Sequence, residues 1–171
     1  MDKSHVVRWS GPLAILGGAL WALAIAAVSA KFGDSSQWLS RGDTGVVAFA
    51  AALAITGAMA TLIPREDLMS TNAAVSATVF SGLGALLFLG GVLTDAWYVV
   101  AGGVYALMVA TLIAGTAMLV RCGSIEWSAW LLVIASALMF LMNSENWQMW
   151  LGVPFGIAWM AFGYRLWMSS G

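Results

Sequence analysis

The spacing of the charged residues constrains this chain more than any other feature. Lysine, arginine, aspartate and glutamate make up only 9% of its 171 residues, and they cluster in short segments that leave six long uncharged blocks. A helix needs about 20 apolar residues to cross the hydrocarbon core of a bilayer, and most of the blocks approach that length. The sequence therefore predicts six spans within a single transmembrane domain, 1–171. They cover residues 12–30, 45–63, 73–94, 96–120, 127–142 and 147–164.

The apolar content predicts how these blocks fold. The chain is 61% hydrophobic, and a soluble domain of this size could not bury so much apolar surface. In lipid, every backbone N–H and C=O must find a partner within the protein, which leaves helices and closed barrels. The blocks are too continuously apolar for the alternation of a barrel strand. We therefore predict an all-α polytopic bundle of six transmembrane helices in the cell membrane.

Several residues mark where the helices begin, end or bend. Pro64 cannot continue a helix and closes the second block. Thr71 or Asn72 is a suitable N-cap for the third block. Asp95 alone separates the third and fourth blocks, so we expect a tight turn there, with a re-entrant pair as the alternative. Pro154 lies inside the sixth block, where we expect a bend.

The basic residues predict the orientation, because cytoplasmic loops carry an excess of lysine and arginine. With six spans, one side of the membrane holds Lys3, Arg8, Arg65, Arg121 and Arg165, and the other holds Lys31 and Arg41. The first side is predicted to be cytoplasmic, together with both termini. The segment Val28-Ser29-Ala30 is similar to a signal-peptidase site, but the apolar run before it is longer than a signal core of about 7–15 residues. We expect a retained first span.

Small residues recur on one face of several blocks, and such faces let helices approach closely in lipid. We predict a helix-packing seam from these positions. It comprises Gly18, Ala22 and Ala26 in the first block, Gly102, Ala106 and Ala110 in the fourth, and Gly152 and Gly156 in the sixth. The pair Gly17-Gly18 also recurs as Gly102-Gly103 half a chain length later. With three spans in each half, true repeats would be inverted, which is the pattern of many transporters. Chance recurrence of glycine is the alternative.

The blocks carry no aspartate, glutamate, lysine or arginine, and reactive groups are scarce elsewhere. The chain has one histidine and one cysteine, so it cannot supply two histidine ligands to a haem or build a histidine-rich metal site. Asp43-Thr44-Gly45 matches the aspartic-protease tripeptide, but a single copy at a helix entrance is an ordinary cap. No nucleotide-binding or hydrolase motif occurs, and a net charge of −1 gives no basic tract for nucleic acid. We expect no cofactor and no catalytic site.

One segment could form a site for a small ligand. Asn143, Glu145 and Asn146 precede the sixth block, and Asp95 and Trp97 lie on the same predicted outer side. Together these five residues could form a shallow polar mouth, and a hydrated turn with aromatic anchors is the alternative.

Two functions are compatible with these features. The first is an accessory, scaffold or homo-oligomeric membrane subunit, whose partners are the lipid bilayer and other subunits. The second is a small transporter or channel for a neutral or weakly polar solute.

Overall fold

The computed structural model describes residues 9–29, 42–123, 126–141 and 150–169, with the backbone alone described at positions 42 and 43. Within these ranges the chain forms six helices and no strand. The helices are α1 (Ser10–Ser29), α2 (Gly42–Thr61), α3 (Thr71–Thr94), α4 (Trp97–Cys122), α5 (Trp127–Met139) and α6 (Gly152–Met168). The prediction of an all-α chain is confirmed.

Helix length separates the first four helices from the last two. Helices α1 to α4 are each long and apolar enough to cross a membrane. Helix α5 has 13 residues, which rise about 20 Å against a hydrocarbon core of about 30 Å. Helix α6 has 17 residues and carries Arg165 in its last turn. The four long helices identify the chain as a multi-pass membrane protein.

The outer surface of the bundle is apolar. Leu23, Leu86, Leu93 and Val120 are between 64% and 88% exposed. Large side chains of this kind would associate in water, whereas lipid tails solvate them. The bundle therefore has apolar residues both inside and outside, as expected of a protein in a bilayer.

The helix ends correct two predictions. The N-cap of α3 is Ser70, whose hydroxyl accepts a hydrogen bond from the Ala73 N–H at 3.3 Å, so the predicted cap at Thr71 or Asn72 is wrong. Helix α6 begins at Gly152, which puts Pro154 in the first turn. An N–H in that turn has no partner within the helix, so proline breaks no hydrogen bond of α6, and the cause that we expected for a bend inside the span is absent.

A tight turn joins α3 to α4. Asp95 ends α3 in the left-handed conformation, with φ of 52°, and α4 begins two residues later. A left-handed residue at this position closes a helix by giving its N–H to a carbonyl of the last turn, which here is that of Gly91. The predicted tight turn is therefore present, and each of the two helices it joins is long enough to be a separate span.

The six helices close a ring in chain order. Each helix packs against its neighbours in sequence, and α1 packs against α6 to complete the circle. The interior is filled by side chains, among which Trp21, Phe88, Phe155, Trp159 and Phe162 are fully buried. Three helices fall in each half of the chain, so the halves meet at two places: α1 against α6, and α3 against α4. We call these contacts the α1–α6 seam and the α3–α4 seam.

Candidate functional site

Glycine holds the backbones of the α1–α6 seam together. Gly18 faces Gly156, and a Cβ atom on Gly156 would lie 2.8 Å from the backbone N of Ala22. Two turns further along the seam, a Cβ atom on Gly163 would lie 2.7 Å from both Gly11 O and Ile15 N. Real Cβ atoms do not approach backbone so closely. Helices whose backbones approach so closely can form Cα–H···O=C contacts, each of which contributes about 0.5–1 kcal/mol.

The α3–α4 seam is built in the same way. A Cβ atom on Gly84 would lie 2.9 Å from Gly103 O and 3.2 Å from Leu107 N. A Cβ atom on Gly91 would lie 2.8 Å from Val100 N and 3.1 Å from Ala96 O. Both seams therefore place glycine directly against the backbone of the facing helix, with side chains of that helix packed beside it.

The two seams match residue by residue. One fixed shift along the chain relates the contacted atoms of α1 to those of α4, and a second fixed shift relates the glycines of α6 to those of α3. The corresponding pairs are Gly11 and Ala96, Ile15 and Val100, Gly18 and Gly103, Ala22 and Leu107, Gly156 and Gly84, and Gly163 and Gly91. In both seams the helices run antiparallel, and α4 points opposite to α1. The halves are therefore arranged as an inverted pair.

The structure places some of the predicted seam residues in the α1–α6 seam and others beside it or on α4. Gly18, Ala22 and Gly156 lie in the α1–α6 seam. Gly152 is buried at the start of α6, and Ala110 is fully buried. Ala26, Gly102 and Ala106 are half-buried.

On α4 the close approach is made by Gly103, the neighbour of the predicted Gly102. A Cβ atom on Gly102 would meet only the Leu87 Cδ1 atom, at an ordinary 3.6 Å. Sequence reasoning missed Gly103 because small residues at i and i+4 also form a stripe through Gly102. The glycine pair itself was visible, but which member faces α3 depends on the rotation of the helix.

An aromatic cluster fills the space between the halves. We define the central cluster as Trp21, Phe88, Phe155, Trp159 and Thr111, all fully buried. The Trp21 ring lies edge-on to Phe88, with centroids 5.8 Å apart, and 5.4 Å from Phe155 across the α1–α6 seam. The cluster thus combines residues of the first half, on α1 and α3, with residues of the second half, on α4 and α6.

Polar groups in this cluster are neutral and hydrogen-bonded. The Trp21 indole N–H donates to the Gly152 carbonyl at 3.1 Å, which ties α1 to α6. The Trp159 indole N–H donates to the Thr111 hydroxyl at 3.3 Å, which in turn donates to the Leu107 carbonyl at 2.9 Å. Buried indoles normally find such partners. The cluster therefore offers two indoles and one hydroxyl, with no titratable group.

Other hydroxyls of the bundle bond mainly to their own helices. Thr56, Thr78 and Thr116 each donate to the carbonyl four residues earlier. Thr56 also bridges to Ser81 at 2.8 Å, which links α2 to α3. Such bonds satisfy polar groups locally, so these residues do not by themselves define a polar path.

Most of the charged side chains that the structure describes lie at one end of the bundle. This charged end holds Arg65, Glu66, Asp67, Arg121, Glu126 and Arg165, from the connections α2–α3 and α4–α5 and the last turns of α4 and α6. Arg165 pairs with Glu126, and Arg65 pairs with Asp67 at 2.9 Å. The hydrogen bond from Arg65 is the main cause that lowers the pKa of Asp67 below 3.8, and Arg165 adds a weaker electrostatic contribution.

The predicted polar mouth is only partly described. Asp95 and Trp97 are exposed beside the turn from α3 to α4, at the end of the bundle opposite to the charged end. Asn143, Glu145 and Asn146 lie outside the described residues. In the part of the chain that the structure describes, no group of three or more His, Cys, Asp or Glu side chains could hold a metal ion.

Comparison with known proteins gives no further assignment. No family model, no curated protein and no solved structure matches this chain.

Proposed function

We propose that this protein is a small transporter that moves a neutral or weakly polar solute across the cell membrane. In this proposal all six helices cross the bilayer, the charged end faces the cytoplasm together with both termini, and no partner is required for transport. The excess of lysine and arginine on the side of the charged end supports this orientation.

The matched seams are the observation that carries the proposal. Inverted repeats are a recurring architecture of secondary transporters, in which one repeat rocks against the other around a site near the middle of the membrane. The α1–α6 and α3–α4 seams are the surfaces where such rocking would occur. The seam glycines have no side chain that would have to change its rotamer during such a motion.

The central cluster supports the choice of solute. The cluster is aromatic, and its polar groups are two indole N–H groups and the Thr111 hydroxyl, each bonded within the protein in this closed arrangement. An ion would find no compensating charge there, and burying an uncompensated charge in a bundle is costly. A flat apolar or weakly polar solute could replace the ring contacts that the cluster makes with itself. Since the cluster contains no titratable group, we propose downhill movement without proton coupling.

Flux into liposomes tests the proposal. The purified protein would be reconstituted and offered a panel of uncharged solutes, from glycerol and urea to indole and benzyl alcohol, at a range of concentrations. We expect saturable uptake of at least one aromatic member above the leak of protein-free liposomes. Absence of saturable flux for every member would overturn the proposal.

A matched pair of variants ties the flux to the cluster. Trp159→Phe removes the N–H that contacts Thr111 and keeps the ring, so we expect a several-fold change in half-saturation for the transported solute. Trp127→Phe makes the same change at a residue that is 53% exposed, and we expect no effect. Equal behaviour of the two variants would remove the central cluster as the solute site.

The second candidate is an accessory, scaffold or homo-oligomeric subunit. It is supported by α3, which buries the smallest share of the four long helices and presents Val79, Leu86 and Leu93 outward. The small-residue faces that suggested this candidate pack largely against other helices of the same chain, at the two seams. Size determination in a mild detergent separates the candidates, because a stable monomer that transports solute excludes an obligate oligomer.

A further inference from the structure

The connection between α2 and α3 plugs the charged end of the bundle. We call residues 62–70 the plug. Leu62, Leu68 and Met69 are between 1% and 4% exposed and belong to the hydrophobic core, although they lie outside any helix. Backbone hydrogen bonds from Leu68 and Met69 to the Arg65 carbonyl fold the segment into compact turns. A connection on the surface would normally be polar and solvated, so this inward packing requires a reason.

Two side chains of the second half bond to the plug, and we call these bonds the latch. The Arg121 Nε–H donates to the Glu66 carbonyl at 3.1 Å, and the Cys122 thiol lies 3.6 Å from the carbonyls of Asp67 and Leu68, to which it donates. Both donors belong to the last turn of α4, in the second half. The plug itself belongs to the first half. Any motion between the halves at this end must therefore break or stretch these contacts.

The remaining polar contacts of the plug hold its shape. The Arg65–Asp67 ion pair lies within the plug, and the Thr71 hydroxyl donates to the Glu66 carboxylate at 2.9 Å. Neither contact reaches the second half, from which Arg165 acts on Asp67 only through a weaker electrostatic attraction. The plug is thus a preformed unit that is joined to α4 by a few bonds from side chains to backbone, of which the thiol bonds are weak.

We propose that the plug is the cytoplasmic gate of the transporter, held shut by Arg121 and Cys122. This inference rests on the proposed function. In the closed state Leu62, Leu68 and Met69 block the route from the central cluster to the charged end. Rocking of the second half withdraws the end of α4, releases the latch and lets the plug move outward with its ion pair intact.

The single cysteine reports the gate directly. Cys122 is the only cysteine in the chain, it is half-buried, and its thiol faces the plug. The rate of its reaction with a maleimide in reconstituted liposomes therefore measures how often the latch opens. We expect slow labelling in the wild type, faster labelling when a transported solute is added, and labelling at least several-fold faster in Arg121→Ala. Thr116→Ala is the matched control, because Thr116 is exposed on the same helix and bonds only to its own helix.

Two further measurements distinguish the possible failures. Thermal unfolding checks that Arg121→Ala remains folded, and Arg121→Lys provides a variant that keeps the charge but lacks the Nε donor. If Cys122 in the wild type reacts as fast as a free thiol, or if Arg121→Ala labels at the rate of Thr116→Ala, the latch does not exist. If labelling accelerates while the rate of flux is unchanged, the latch exists and the gate is disproved. Absence of flux in the wild type disproves the proposed function and with it any gating role, whatever the labelling shows.

Discussion

The two seams make corresponding contacts under different constraints. Helices α3 and α4 are joined by the turn at Asp95 and Ala96, so they meet as soon as the turn forms. Helices α1 and α6 lie at opposite ends of the chain and are brought together only when the ring closes. The α1–α6 seam has glycine on both helices at two levels, Gly11 against Gly163 and Gly18 against Gly156.

The α3–α4 seam keeps glycine on both helices at one level only. At its second level Gly91 packs against Ala96, immediately beside the turn. A short connection makes closure entropically cheap, whereas closing a loop of nearly the whole chain costs more. The comparison indicates that a short turn holds two helices together even where only one of them has glycine at the contact. Helices from the two ends of the chain have no such turn and depend on close packing alone.

Substitution in the α1–α6 seam should have the largest effect. A Cβ atom in Gly156→Ala would meet the backbone of α1 at Ala22 N, 2.8 Å away, and neither helix can yield without opening the ring. We expect a loss of at least about 1–3 kcal/mol in the free energy of unfolding, as for other overpacked sites. Gly18→Leu, which is larger, should prevent assembly of the ring. Thermal unfolding followed by circular dichroism in detergent measures both.

The control for this prediction is Gly102→Ala. Its Cβ atom would have ordinary contacts, and alanine favours a helix over glycine by about 0.5–1 kcal/mol. Gly102→Ala should therefore be neutral or slightly stabilising. If it destabilises the protein as much as Gly156→Ala, the assignment of the seams is wrong.

Substitution in the α3–α4 seam should cost less. In Gly84→Ala the nearest backbone atoms lie at 2.9 and 3.2 Å, and the turn at Asp95 continues to hold the two helices together. We expect a loss of about 1 kcal/mol, at the lower end of the range for overpacking. The same unfolding experiment compares it with Gly156→Ala. A larger loss at Gly84 than at Gly156 would reverse the ranking of the seams.

The indole bond across the α1–α6 seam should have an intermediate to small effect. Trp21→Phe keeps a ring against Phe88 and Phe155 but loses the donor to the Gly152 carbonyl. A neutral hydrogen bond contributes about 0.5–1.5 kcal/mol, so a loss of that size is expected. Trp97→Phe, at a residue that is 52% exposed, should leave the unfolding midpoint unchanged. A midpoint that is equally insensitive to Trp21→Phe would show that the seam is held by backbone contacts alone.

The ion pair of the plug should have the smallest effect, because it belongs to neither seam. Asp67 is 61% exposed, and exposed ion pairs contribute about 0–1 kcal/mol. Its pKa is lowered from 3.8 in the folded state, so its contribution is fully present above pH 3.8 and is lost as the pH falls through the lower folded value. Asp67→Asn should lose this acid dependence and little else. If the free energy of unfolding depends on pH near neutrality and Asp67→Asn removes that dependence, this assignment is wrong.

The helices could be predicted from the sequence, because lipid makes the meaning of uncharged blocks nearly unambiguous. The uncharged blocks locate all six helices, with ends that differ from those of the structure by at most five residues. The cap at Ser70 was missed because three consecutive polar residues could each have begun α3, and only the backbone conformation distinguishes them.

The partners of each helix were much harder to predict. Ala22 and Gly156 lie on recognisable small-residue faces, but nothing in the sequence states that these two faces meet. Gly103 shows the same limit, since a stripe of small residues gives a face without fixing its rotation. The plug was missed because Leu68 and Met69 form too short an apolar run to stand out, and their burial depends on the α4 residues that they meet in three dimensions.

Labelling of single cysteines from each side of the membrane tests the inversion most directly. In a Cys122→Ser background, Trp9→Cys and Asp95→Cys place a thiol at the start of α1 and at the start of its counterpart α4, while Ser169→Cys places one after α6. With an impermeant maleimide on intact cells and on opened membranes, we predict that positions 9 and 169 react only from the cytoplasmic side and position 95 only from outside. Reaction of positions 9 and 95 from the same side would contradict the inverted arrangement.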